Sequence, residues 1–142
     1  MATEMKAGEL STMPSATESM VLVLDDHPDV AATLAELCRS LGHKALAVDQ
    51  PGDIRGLLER YTPSALIIDV MMPDQDGYEA LKEIAAFRPD LPVLLVSGYG
   101  ETWLEVGITL GRAHGLSALQ AAAKPLRSET LRKFLAGWPP TG

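Results

Sequence analysis

Three short apolar runs constrain this chain more than any other feature: Met20 to Leu24, Ala65 to Ile68 and Pro92 to Val96. Each is bounded by acidic or turn residues, the pattern of strands buried on both faces. Lys44 to Val48 and the alanine-rich Ser117 to Ala123 are weaker strands of the same series, which brings the count to five. Helical spacing fills the gaps. Val30, Leu34, Leu37, Cys38 and Leu41 precede Gly42, a natural C-terminal stop. Ile54, Leu57, Leu58 and Tyr61 repeat the spacing before Pro63, and Gly77 to Phe87 places Leu81, Ile84 and Ala85 inward before Pro89. Glu101 to His114 forms a fourth helix stopped by Gly115, and Leu131, Phe134, Leu135 and Trp138 mark a fifth. Strict alternation with short links predicts a parallel α/β sheet wrapped on both faces by right-handed crossovers.

A chain of 142 residues is long enough for one domain with its own core. That domain is expected over residues 20–138, between a disordered N-terminal tail at 1–19 and a C-terminal tail at 139–142, with no internal repeat. The formal charge of −7 disfavours a phosphate-neutralising nucleic-acid surface or anionic lipid, so a protein partner is the default. The single cysteine, Cys38, lies on the apolar face of the first helix and reads as a buried thiol in a reducing compartment. There is no apolar stretch of membrane-span length and no basic, apolar signal-peptide start, so a cytoplasmic location is expected.

The strand ends carry the chemistry. Asp25-Asp26 closes the first run, and Asp69 ends the third strand and opens Asp69-Val70-Met71-Met72-Pro73-Asp74-Gln75-Asp76-Gly77. Ser97 follows the fourth strand, and Lys124, followed by Pro125, the fifth. In a parallel sheet these residues converge at the carboxyl edge, where open α/β sheets bind ligands. Two carboxylates about 4 Å apart repel by roughly 4 kcal/mol at an effective dielectric near 20, a large share of the roughly 5 to 15 kcal/mol by which a domain is stable. Lys124 can meet one charge, and the remaining oxygens suit a hard divalent cation such as Mg2+. An acid beside such a cation is a good phosphoryl acceptor. Asp74 and Asp76 read as turn residues, with Gly77 supplying a permissive backbone. His27, His43 and His114 lack metal-ligand spacing and read as surface or loop residues, His27 near the site entrance.

With the Asp25-Asp26 pair, the Asp69 to Gly77 segment, the Ser97-Gly98 step and the Lys124-Pro125 pair in this order, the chain resembles a CheY-like response-regulator receiver domain of bacterial two-component signalling, from about Met20 to Trp138. The resemblance implies a flavodoxin-like (βα)5 three-layer sandwich with strand order 2-1-3-4-5. It implies that Asp69 accepts a phosphoryl group from a histidine kinase or histidine phosphotransfer protein. Asp26 and Asp69 would then bind Mg2+ directly, Asp25 mainly through water, and the Met71 backbone carbonyl as a further ligand, while Lys124 and Ser97 hold the phosphoryl oxygens. Gly98 fits because a bulky side chain there would obstruct the incoming group. Such a protein is no enzyme beyond its own aspartyl phosphorylation and dephosphorylation. Its downstream target is a protein, and a homodimer is compatible with the family.

Two departures stand out. Many receivers carry Tyr or Phe three residues before the lysine, where this chain has Ala121; Tyr99 or Trp103 is the expected substitute for that switch aromatic. The stretch from Leu104 to Lys124 is also long and is similar to receivers that precede cyclic-dinucleotide phosphodiesterase domains. Met71 and Tyr99, two residues beyond Asp69 and Ser97, are bulky and cannot act as bases, so slow autodephosphorylation is expected. A haloacid-dehalogenase-like phosphatase would need an acid two residues beyond its nucleophile, where Met71 or His27 stands instead. The stronger alternative is a receiver-shaped docking module that works without phosphorylation.

Overall fold

The computed structural model describes residues 20–72, 75–98 and 100–136, and for residues 71, 72 and 75–77 the backbone alone. Tyr99, Asp74, Trp138 and both expected tails fall outside the described residues.

The strands are β1 (Met20–Leu24), β2 (Lys44–Val48), β3 (Ala65–Asp69), β4 (Val93–Ser97) and β5 (Leu119–Ala123). They form one parallel sheet in the order β2-β1-β3-β4-β5, the flavodoxin-like arrangement expected. Every residue of β1, β3 and β4 is buried, as unbroken apolar runs in a sheet covered on both faces require. β2 and β5 are the edges, and β5 carries exposed residues at Gln120, Ala121 and Ala123, which explains its weak apolar signature.

Five helices cover the sheet: α1 (Pro28–Ser40), α2 (Ile54–Tyr61), α3 (Gly77–Phe87), α4 (Glu101–Ala113) and α5 (Ser128–Ala136). Proline stands at the start of α1, where its missing N–H would have no intrahelical partner. Asp53 caps α2 by accepting from the Gly56 N–H at 3.1 Å. Thr62 ends that helix in the left-handed region, at φ 38°, and Pro63 forbids continuation. The strands' two-residue period sorts their side chains between two cores. Val21, Val23, Ile67, Leu94 and Val96 pack with Ala31, Leu34, Cys38, Leu131 and Phe134 of α1 and α5. Leu22, Leu24, Leu66, Ile68 and Leu95 pack with Leu58, Leu81, Ile84 and Leu104 of α2, α3 and α4. The burial that makes Cys38 a core residue raises its thiol to about 11, so it is an inert packing group.

Two local readings shift. β5 starts at Leu119 rather than Ser117, because the Ser117 N–H donates to the Pro89 carbonyl at 3.0 Å, outside the ladder. Asp76, expected as a turn residue, stands in a short strand instead: Met71–Met72 pairs antiparallel with Gln75–Asp76, a ladder too short to leave an apolar signature.

α4 approaches the sheet through Gly107 and Gly111, both buried. A Cβ on Gly107 would stand 2.7 Å from Leu95 Cδ1, and one on Gly111 would collide with the Leu119 side chain. Leu95 is fully buried and has little room to yield. Overpacking of this kind costs about 1–3 kcal/mol. Gly107→Val is therefore expected to destabilise by that amount in urea unfolding, whereas Val106→Ala, at a 40% exposed position one residue away, stays within about 0.5 kcal/mol of the parent.

Candidate functional site

The carboxyl edge brings the acids and the lysine together. Leu24 is in register with Ile68, and Ser97 with Ala123, so Asp25, Asp69, Ser97 and Lys124 all fall at or one step beyond paired strand ends. Ladder-like hydrogen bonds continue past the strands. The Asp25 N–H donates to Val48 O at 3.2 Å, that of Val70 to Val96 O at 3.1 Å and that of Lys124 to Ser97 O at 2.8 Å. The backbone beneath the site is thus held by the sheet itself.

Asp25, Asp69 and Ser97 are buried polar residues, and Asp26 is partly exposed. Lys124 Nζ donates to Asp25 Oδ2 and to Asp69 Oδ2, each at 2.7 Å. The ammonium meets two carboxylates rather than the one expected, because it has three donors and its stem reaches between both strand ends. Burial alone would push the Lys124 ammonium down; the two carboxylates outweigh it and hold the group above the ordinary lysine value of 10.5.

His27 sits closer to the chemistry than its sequence position indicated. Its backbone N–H donates to Asp25 Oδ1 at 3.0 Å, and its ring Nδ1 lies 3.2 Å from that atom and 3.2 Å from Asp26 Oδ1. The latter contact lacks hydrogen-bond direction, so Asp26 Oδ1 is a buried oxygen with no hydrogen-bond partner among the described residues. Asp25, Asp26, His27 and Asp69 each offer a donor atom, all within 4.8 Å of one another. A carboxylate-rich cluster with one unpartnered oxygen fits a divalent cation. Only local spacing could have flagged His27, through an Asp-Asp-His-Pro turn that returns the ring over the acids.

At Gly98 only side-chain bulk matters. A Cβ there would lie 3.9 Å from Lys124 Cδ, an ordinary contact, so only side chains beyond alanine would crowd the site. Ala121, expected to lack the switch aromatic, is exposed and lines a hollow of about 410 Å3 with Leu104, Glu105 and Ile108. Trp103 is 42% exposed and is not part of that lining; its carbonyl accepts from the Tyr78 hydroxyl at 2.8 Å, tying α3 to α4. A second, apolar hollow of about 410 Å3 lies between Val30, Leu34 and Leu37 of α1 and the Lys124-Pro125-Leu126 step. No described helix is long and apolar enough to cross a membrane.

A parallel five-stranded sheet with three acids, a hydroxyl and a lysine at its carboxyl edge defines the class of protein. The chain belongs to the response regulator receiver domain family, whose model matches residues 21–136. It is 28% identical to the C4-dicarboxylate transport transcriptional regulatory protein DctD of Pseudomonas aeruginosa, over 83% of this chain and 24% of that protein. It is 26% identical to the response regulator protein TmoT of Ectopseudomonas mendocina, over 80% of this chain and 50% of that one. Protein PilH of Pseudomonas aeruginosa is 27% identical over 81% of this chain and 93% of its own length. The chain thus spans about a quarter of the first relative, half of the second and nearly all of the third. Among solved structures, a response regulator from Colwellia psychrerythraea is 28% identical, with TM-score 0.67, covering 84% of this chain and 95% of that one. A chemotaxis protein, CheY4 of Vibrio cholerae, matches the fold with TM-score 0.71 at 21% identity, covering 84% and 98%. None of these relatives supports a link to cyclic-dinucleotide phosphodiesterases.

Removing the ammonium leaves two buried carboxylates facing each other. Lys124→Ala is expected to destabilise by about 3 kcal/mol in urea unfolding, since breaking a buried ion pair strands a charge, and Asp69→Asn in the same chain recovers much of the loss. The pH dependence follows from the raised lysine. Its contribution is complete below the unfolded value of 10.5 and is lost as pH rises through the higher folded value. The stability gap between parent and Lys124→Ala should therefore stay constant through neutral pH and close only in strong alkali.

Proposed function

We propose that this receiver accepts a phosphoryl group on Asp69 from a phosphohistidine of a kinase or phosphotransfer protein. The observation that carries the reading is a buried Asp69 carboxylate held 2.7 Å from an ammonium at the open edge of the sheet. An Asp69 oxygen attacks phosphorus as the phosphorus–nitrogen bond to the donor imidazole breaks and the imidazole leaves. The transition state spreads charge over the transferred oxygens, so catalysis is positioning plus electrostatics. Lys124 takes one of those oxygens, shifting its donors away from Asp25, and Ser97 takes another. Asp26 and Asp69, with Asp25 through water and the Met71 carbonyl, would hold Mg2+. When bound, that ion neutralises charge on the carboxylates and on the phosphoryl oxygens.

Phosphorylation adds about −1.5 to −2 charge, enough to redistribute Lys124 and Ser97 and so bias the face of α4, β5 and α5. A protein target reads that face; nucleic acid is a poor partner for a chain of charge −7. The open hollow at Ala121 leaves Tyr99 and Trp103 as the aromatic candidates for readout. The apolar hollow beside Lys124-Pro125-Leu126 suits the donor's helical face. A cytoplasmic setting suits the unpaired thiol of Cys38. The exposed Ala121, with no aromatic to move, favours one second reading, a docking module independent of phosphorylation.

Intact-protein mass spectrometry with acetyl phosphate and Mg2+ separates the two. One phosphoryl group is expected on the parent and none on Asp69→Ala or without metal; Lys124→Ala should label far more slowly. A parent that stays unlabelled even with a histidine-kinase donor sinks the phosphoacceptor reading. Once formed, the phospho-form is expected to outlast seconds at neutral pH, which the same mass measurement follows with time.

A further inference from the structure

We infer that His27 supplies an imidazole nitrogen to the cation site of the acid cluster, so that the site favours first-row transition dications, with Mn2+ as the probe, over Mg2+. The inference rests on the cation site of the proposed function but adds a ligand that its acids and backbone carbonyl do not include.

Three observations converge. The first is spacing. His27 Nδ1 stands 3.2 Å from Asp25 Oδ1 and 3.2 Å from Asp26 Oδ1, and the donor atoms of Asp25, Asp26, His27 and Asp69 all lie within 4.8 Å of one another. Around an octahedral ion with ligands at about 2.1 Å, neighbouring ligands are about 3.0 Å apart and opposite ones about 4.2 Å. The 3.2 Å between His27 Nδ1 and Asp26 Oδ1 is therefore the separation of neighbouring ligands on one ion. The second is the unmet demand of Asp26. Its Oδ1 is buried without a hydrogen-bond partner among the described residues, since the one ring nitrogen beside it is directed at Asp25 Oδ1, whereas a cation on that nitrogen meets Asp26 Oδ1 directly. The third is anchoring. The His27 N–H is bonded to Asp25 Oδ1 at 3.0 Å, and Pro28 starts α1 directly after it, so the ring is placed by a fixed backbone. The imidazole is 58% exposed, on the rim of the site, and the rest of the ring can face solvent while Nδ1 faces the acids. Oxygen donors alone suit Mg2+; an added imidazole moves preference toward first-row transition ions.

The test is pulsed electron paramagnetic resonance on the Mn2+-loaded full chain. Modulation from a directly bound nitrogen is expected in the parent and in His43→Asn/His114→Asn, and absent in His27→Asn. The Mn2+ affinity of His27→Asn should fall at least about tenfold, as the loss of a metal-supporting group does, with a much smaller change for Mg2+. Mn2+ bound to the parent without nitrogen modulation, or modulation that survives in His27→Asn, overturns the assignment. Mg2+-dependent phosphoryl labelling, run on the same samples, keeps the two ideas apart: labelling without nitrogen coupling removes only the His27 ligand, and a parent that never labels removes only the phosphoacceptor reading.

Discussion

The Lys124 ammonium between Asp25 and Asp69 is the interaction on which the rest of this site depends. Two carboxylates buried at neighbouring strand ends repel, and at these positions water cannot screen them. A single donor group at 2.7 Å from each makes the arrangement tolerable while leaving it poised. Whatever adds negative charge at Asp69 competes with Asp25 for the same ammonium. The site is therefore stable and responsive for one reason, because its central cation has two claimants.

That cation can reach both acids only because the sheet is parallel and its strands end together. β1, β3 and β4 are buried along their whole length, so both faces must be covered, and helices on both faces require crossovers that return every strand in the same direction. Ligand chemistry then collects at one edge. The glycine pair of α4 serves the same geometry from outside. With no side chain at Gly107 and Gly111, α4 lies close against Leu95 and Leu119, beside the hollow at Ala121.

Much of this was legible in the residues. Unbroken apolar runs marked the central strands, because burial on both faces leaves no polar alternation to confuse the pattern. Asp25, Asp26, Asp69, Ser97 and Lys124 could be placed at strand ends by the same logic. The edges were harder to read. β5 is mostly alanine, and its start is displaced by a loop hydrogen bond from Ser117. The ladder of Met71–Met72 with Gln75–Asp76 is too short to carry periodicity. The open space at Ala121 could be suspected from the missing aromatic but not measured, since its size depends on how α4 sits.

Sequence alone determined the order of elements, the parallel sheet and the identity of the acids, hydroxyl and lysine at its carboxyl edge, because hydrophobic periodicity and strand-end position are local properties. Tertiary structure decided how those groups share charge. That Lys124 serves two carboxylates, that Asp26 keeps a buried oxygen without a hydrogen-bond partner among the described residues and that the His27 ring turns over both acids are settled in three dimensions. The lysine contacts follow from the register of the sheet, across residues far apart in the chain, and the other two from the path of the chain into α1, at which local spacing only hints.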